Sequence, residues 1–282
     1  MHSLSRREFL RVGALGAGLA ALPLRAEGLG APPPIGLQLY TLRDLMKEDF
    51  DGTLKRVAEI GYPAVEFAGF GRYGGKPQEL RALLDGLGLV CCGSHEGLGG
   101  IERQPAARAE FVQALGGRHL VVPSLPKEFR DGGKDGYRQF GERMNALGEA
   151  VAKAGGVLSY HNHAFEFAKD GDKTLFDWML EAMDPELVKL EVDVFWVKNG
   201  GIEPGEFIRR HRERIALLHM KDLAADDGSF APVGTGTLDM ADIAKAGGEA
   251  GCDWYIVEQD ACRQPPLEAV ALSLGNLKAL LG

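Results

Sequence analysis

Cysteine is scarce in this chain, with four in 282 residues. Cys91 and Cys92 are adjacent and no C-x-x-C occurs, so no disulfide framework holds the fold and a packed core must do so. Positive charge is short as well: 32 Lys and Arg stand against 40 Asp and Glu, a net of −8. That excludes the broad basic face needed for nonspecific attraction to nucleic acid or anionic lipid. The apolar run at 12–24 falls short of the roughly 20 residues a permanent membrane anchor needs. No glycine-rich phosphate loop follows the first strand-like run, which ends Leu39-Tyr40-Thr41-Leu42-Arg43, and this argues against an open dinucleotide-binding sheet. What is present, 45% hydrophobic and 26% charged residues, is ordinary globular composition.

The N-terminus reads as an address. Ser5-Arg6-Arg7-Glu8-Phe9-Leu10-Arg11 precedes the short apolar run, and Leu24-Arg25-Ala26 offers a small-residue cleavage site, the pattern of a signal peptide over 1–26. Paired Arg followed by Phe-Leu resembles the twin-arginine export signal. It implies an encounter with the twin-arginine machinery and delivery of an already folded protein to the periplasm. The alternative is a mildly hydrophobic tail that happens to hold Arg-Arg. Removal of 1–26 leaves 28 basic and 39 acidic residues, a net of −11. Residues 27–34, with Pro32-Pro33-Pro34, read as an extended linker.

From residue 35 one unit repeats eight times. Short apolar, β-rich runs fall at 35–40, 64–67, 89–93, 119–122, 157–161, 188–193, 215–219 and 255–258. Amphipathic helix candidates follow at 50–60, 77–87, 105–115, 137–154, 174–183, 204–210, 239–246 and 266–280. Glycines 61, 88, 155 and 251 punctuate the returns to strand. Strand–helix alternation requires a parallel sheet with helical crossovers. Eight units in this length predict a single (β/α)₈ TIM barrel over 35–282.

Active sites of such barrels form at the C-terminal ends of the strands. Strand five ends Tyr160-His161-Asn162-His163, strand six Glu191-Val192-Asp193, strand seven His219-Met220-Lys221-Asp222, and strand eight Glu258-Gln259-Asp260. Adjacent strands lie about 4.8 Å apart, so inward side chains from four neighbours converge. His161, Asp193, His219 and Glu258 form a mixed N/O donor set suited to one divalent ion, Mn²⁺, Zn²⁺, Co²⁺ or Mg²⁺. An acid or His closing four apolar strands in a row is costly unless those groups are paired or metal-bound. Singly, each has a structural reading: Asp193 as a helix cap, Glu258 as an Arg263 partner, Lys221 as an Asp222 partner. Gln38, His95, His163, Trp196 and Lys221 flank the set and can hold a polyol, with Tyr40, Glu66 and Phe70 as further candidates. Gly234-Thr235-Gly236 reads as a tight turn, since a lone G-x-G is a weak phosphate signal.

These residues carry a resemblance. Gly36-Leu37-Gln38-Leu39-Tyr40-Thr41-Leu42-Arg43, Tyr160-His161-Asn162-His163 with Phe165-Glu166-Phe167, Asp193-Val194-Phe195-Trp196, His219-Met220-Lys221-Asp222, Gly234-Thr235-Gly236 and Val257-Glu258 resemble the xylose isomerase-like barrel superfamily, in order across 35–280. This is the sugar phosphate isomerase/epimerase group, which also includes inosose dehydratase and a metal-dependent apurinic-site endonuclease. Asp193, His219 and Glu258 match the family's metal positions. At the first position the family often has Glu-Asn, its Glu being both ligand and base, whereas this chain has His161-Asn162; Trp196 stands where some epimerases have a His.

The resemblance and the residue types together imply a metal-dependent isomerase or epimerase acting on a free sugar or keto-sugar through an enediolate. Glu258, Glu166 or His161 would move the proton. Elimination from the same enediolate, as in a keto-glycoside or inosose lyase, is the alternative, and a barrel that binds carbohydrate without turning it over is another. The acidic balance argues against a nucleic-acid substrate. Barrels of this family are often dimers or tetramers, so a homo-oligomer is compatible.

Overall fold

The computed structural model describes residues 31–282. The expected export segment, 1–26, and the first residues of the linker lie outside the described residues. Among the described residues, eight strands build the barrel: β1 (Ile35–Gln38), β2 (Ala64–Phe67), β3 (Val90–His95), β4 (His119–Val122), β5 (Val157–His161), β6 (Val188–Asp193), β7 (Ile215–Met220) and β8 (Trp254–Val257). All neighbours pair in parallel, and β8 closes back on β1. The chain is therefore a closed (β/α)₈ barrel.

The helical layer alternates with the strands: α1 (Phe50–Ile60), α2 (Pro77–Leu87), α3 (Pro105–Ala114), α4 (Gly133–Lys153), α5 (Leu175–Ala182), α6 (Pro204–Arg210), α7 (Met240–Ala250) and α8 (Pro266–Leu281). Proline starts α2, α3, α6 and α8, where its missing N–H costs nothing. Thr174 and Asp177 form a reciprocal capping box on α5, so the helix begins one residue later than its periodicity suggests. Strand β1 stops at Gln38, because the Gln38 side chain caps a 3₁₀ turn over Leu39–Leu42 instead of letting the strand run on. Among the described residues, no helix is long and apolar enough to cross a membrane.

Two places in the barrel break its regular register. Between β2 and β3 the partner of Val65 is Cys91 but that of Glu66 is Gly93, so Cys92 is an inserted residue. Between β6 and β7 Leu190 faces Ile215 but Glu191 faces Leu217, so Ala216 is inserted. Bulges of this kind re-aim side chains beside them. Cys92 turns into the barrel, where it meets Gly36, Ala64 and Ile256 and plugs the lower half. Above that plug the inward positions become polar.

Glu166 departs from the role expected of it. Its carboxylate accepts from the Tyr160 hydroxyl at 2.6 Å and from the His163 N–H at 2.9 Å, and Tyr160 packs edge-on against Phe140 of α4. It faces the helical layer, not the strand ends, because Tyr160 and His161 point to opposite sides of β5. Phe70 is likewise a packing residue, set between Phe67 and Phe111.

A Cβ on Gly148 of α4 would lie 2.4 Å from the Leu187 carbonyl oxygen, so Gly148→Ala should destabilise the fold by about 1–3 kcal/mol in urea unfolding; a change within experimental error would contradict the packing. Burial pushes the Glu166 carboxyl up from 4.5 to about 7. The folded state then holds a proton that the unfolded chain has lost, so stability falls as pH rises from 4.5 to about 7. Glu166→Gln should flatten that slope; an unchanged slope would show that Glu166 does not cause it.

Candidate functional site

Parallel strands bring their ends to one mouth, and the period of two points every second side chain into it. Asp193, last in β6, is held by its backbone: its N–H donates to Asn162 Oδ1 at 3.0 Å, and its carbonyl accepts from Asn162 Nδ2 at 3.3 Å. Its Oδ1 accepts from the Trp196 N–H at 3.0 Å, capping the helix over Val194–Asn199. The cap reading and the site reading of Asp193 are thus both satisfied, since Oδ2 remains turned inward.

His161, Asp193, His219 and Glu258 converge, with one donor atom from each within 4.8 Å of the others. Lys221 stands among them. Its Nζ lies 2.8 Å from Asp193 Oδ2, 2.7 Å from Glu258 Oε2 and 3.1 Å from Asp260. The contact to Asp193 Oδ2 is a short, buried ion pair. The expected Lys221–Asp222 pairing is replaced by these contacts. Asp222 instead accepts from the N–H groups of Gly234, Gly236 and Leu238. The G-x-G turn therefore spends its donors on a carboxylate of the chain itself.

A second, deeper tier was legible only in part. Glu191, two residues before Asp193 on the same face of β6, is buried and not among the expected site residues. Its Oε2 lies 2.5 Å from His95 Nε2, 3.0 Å from His161 Nδ1 and 3.2 Å from His219 Nε2. Glu66 stands beside it: Oε2 is 2.8 Å from His219 Nε2 and accepts from Gln38 Nε2 at 2.8 Å. His95, His161, Glu191 and His219 form a second set of donor atoms within 4.8 Å of one another. The signal for Glu191 is strand parity, since it shares a face with Asp193 two residues away. The rings crowd together, with His95 stacked on His219 at 5.1 Å and His161 edge-on to His219 at 4.7 Å.

The rim above is aromatic. His163 packs 5.5 Å from both Phe165 and Trp196, and Trp196 meets Phe230 at 5.7 Å. Lys221 lies 5.7 Å above the Phe230 ring. Burial lowers His163 to about 4, so it is a neutral imidazole at the rim.

Acids crowd the cluster: Asp193, Glu258 and Asp260 surround the Lys221 ammonium, and Glu66 and Glu191 stand against the imidazoles. Burial, with Glu191 nearby, pushes Glu66 up to about 7. Burial raises Asp193 to about 6 although Lys221 pulls the other way. Burial opposes charge on Glu258 also, yet Lys221 and His219 hold it well below the usual carboxylate range. Burial opposes charge on His219, and Glu191 and Glu258 nevertheless hold its imidazole well above the ordinary value. Glu66 Oε1 and Glu191 Oε1 are buried without a hydrogen-bond partner, whereas Asp193 Oδ2 is paired with Lys221. Unpaired buried carboxylate oxygens with imidazoles beside them fit a divalent cation, which would satisfy both charge and coordination.

The comparisons agree with this architecture. A curated relative, the inosose dehydratase of Clostridium botulinum strain Alaska E43, is 23% identical over 83% of this chain and 91% of its own length. The inosose dehydratase of Geobacillus kaustophilus is 25% identical, the match spanning 62% of this chain and 63% of that relative. A crystal structure of a sugar phosphate isomerase/epimerase from Parabacteroides distasonis superimposes with a TM-score of 0.74 at 26% identity, covering 87% of this chain and 98% of that one. A structure of the IolI protein with a bound zinc atom shares the fold, with a TM-score of 0.65 at 14% identity over 88% and 98% of the two chains. The model of the xylose isomerase-like TIM barrel matches residues 54–280, and the chain belongs to that family.

Proposed function

We propose that this chain is a divalent-metal-dependent enzyme that enolises a keto-sugar or keto-polyol and then expels a β-hydroxyl as water. The observation that carries the reading is the Lys221 ammonium between Asp193 and Glu258, two acids that cluster with His161 and His219. The names of the curated relatives support elimination. The solved isomerase/epimerase neighbour supports a second outcome, return of the proton to a carbon, which shares the first step.

Glu258 is ionised and sits at the strand end, so it takes the proton from the carbon next to the carbonyl. The freed electron pair becomes the new C=C bond as the β C–O bond breaks, and the proton on Glu258 leaves with the departing hydroxyl as water. Lys221 donates to the oxygen on which negative charge grows. A divalent ion held through His161 and His219 would polarise the substrate carbonyl. Trp196 and Phe230 offer ring faces to the apolar side of a sugar. His95 and Gln38 lie in the deeper tier, where His95 touches Glu191 and Gln38 donates to Glu66.

The substrate in this proposal carries no phosphate, because the G-x-G donors are spent on Asp222. Export by the segment at 1–26 would place the enzyme in the periplasm, where free sugars and glycosides are met.

The metal-loaded protein, incubated in D₂O with inososes, 3-keto-glycosides and simple ketoses, should release water from one class and place deuterium next to its carbonyl. Lys221→Met should lower kcat by about 10²–10⁴-fold. Deuterium with an epimer or isomer and no loss of water would replace elimination by the second outcome. No exchange with any carbonyl substrate would overturn enolisation itself.

A further inference from the structure

Two cation seats compete in the cluster, and they use opposite nitrogens of the same two rings. His161 turns Nε2 towards Asp193 at 3.5 Å and Nδ1 towards Glu191 at 3.0 Å. His219 turns Nδ1 towards Glu258 at 2.8 Å and Nε2 towards Glu191 at 3.2 Å. An ion in the upper seat would bond Asp193 and Glu258, and one in the lower seat would bond His95 and Glu191.

The upper seat already has a cation. Lys221 Nζ is within 2.8 Å of Asp193 Oδ2 and 2.7 Å of Glu258 Oε2, the same oxygens an ion there would need. Lys221 is nearly fully buried and held by a third carboxylate, Asp260, so it has no ready place to go. A divalent ion beside a fixed ammonium meets strong repulsion in so dry a setting.

The lower seat has no such occupant. Around Glu191 Oε2 the three imidazole nitrogens stand at 2.5, 3.0 and 3.2 Å. Ligands bonded at about 2.1 Å to one ion stand about 3.0–3.4 Å from one another, so small outward shifts suffice. Glu191 Oε1 and Glu66 Oε1 are buried without hydrogen bonds, and Glu66 Oε2 is 3.5 Å from His95 Nε2, close enough to join as a further ligand. Asp193 and Glu258 then face the far nitrogens of His161 and His219, the carboxylate–histidine arrangement that orients metal-binding imidazoles.

We therefore propose that the ion's seat is the three-histidine, one-carboxylate set His95, His161, Glu191 and His219, with Asp193 and Glu258 orienting the imidazoles from their far nitrogens, Glu258 keeping its role as base, and Lys221 as the substrate-facing cation. This rests on the metal-dependent reading above, and deepens it by moving the ion one tier down the barrel. The donor set, rich in imidazole, favours Zn²⁺, Fe²⁺ or Co²⁺ over Mg²⁺.

The test uses the whole chain and the metal alone. X-ray absorption on the Zn²⁺- or Co²⁺-loaded wild type should count three imidazole ligands, and this needs no variant to fold. In calorimetric titrations with Zn²⁺, Asp193→Asn and Glu258→Gln should each weaken binding by no more than about 10–100-fold. His95→Ala and Glu191→Gln should weaken it further than that, and Lys221→Met should not weaken it. Two imidazoles in the wild type, with binding lost in Asp193→Asn and Glu258→Gln but intact in Glu191→Gln, would put the ion beside Lys221; that overturns the deeper seat and leaves metal dependence standing. Absence of stoichiometric binding by the wild type would overturn both.

Discussion

Everything at the mouth of this barrel depends on how a dry enclosure tolerates five carboxylates. Glu66, Glu191 and Asp193 are completely buried, and Glu258 nearly so. Bare carboxylates in such a place would be prohibitively costly, so each is either paired, protonated or reserved for a cation. Lys221 answers three of them, Asp193, Glu258 and Asp260. The imidazoles of His95, His161 and His219 answer Glu191 and Glu66 only in part, since each of those two acids keeps one oxygen without a partner. A site built this way has little reason to exist unless a positive charge arrives. The proposed chemistry uses the same imbalance, because an enolising enzyme must neutralise charge that grows on substrate oxygen.

The scaffold makes the crowding achievable. A parallel barrel turns four adjacent strand ends into one surface, and its helices, pinned by prolines and side-chain caps at their starts, hold the strands in register. Two inserted residues, Cys92 and Ala216, fall beside Glu66 and Glu191. Both bulges therefore sit at the tier where the barrel changes from apolar plug to polar cluster. A strictly regular barrel has no reason to interrupt its ladder there, whereas a site that needs two acids re-aimed does.

Most of the fold could be read from residue order. Apolar β-rich runs alternating with 3.6-periodic segments allow one arrangement when they recur eight times, and β5 and β6 fall where those runs begin and end. At Gln38 the strand stops short of its apolar run, because a side-chain hydrogen bond that periodicity does not register competes with the ladder. The site was legible to the extent that its residues end strands: His161, Asp193, His219 and Glu258 were visible as a series. Glu191 was hidden by its position inside an apolar run, although it shares a face with Asp193. Glu166 misled for the opposite reason, since adjacency to a site motif said nothing about which side of β5 its partner Tyr160 faces. Lys221 looked like a local partner of Asp222, and only the closed barrel brings Asp193, Glu258 and Asp260 around it.

The central claim is that the buried acids and imidazoles at the ends of β5 to β8 exist to hold a metal ion. Anomalous X-ray diffraction, recorded on either side of the zinc absorption edge from crystals grown with Zn²⁺, addresses it directly. The account predicts a single strong peak inside the barrel mouth, in bonding contact with both His161 and His219. Peaks confined to surface carboxylates, with the cluster around Lys221 undisturbed and no scatterer among the imidazoles, would contradict it.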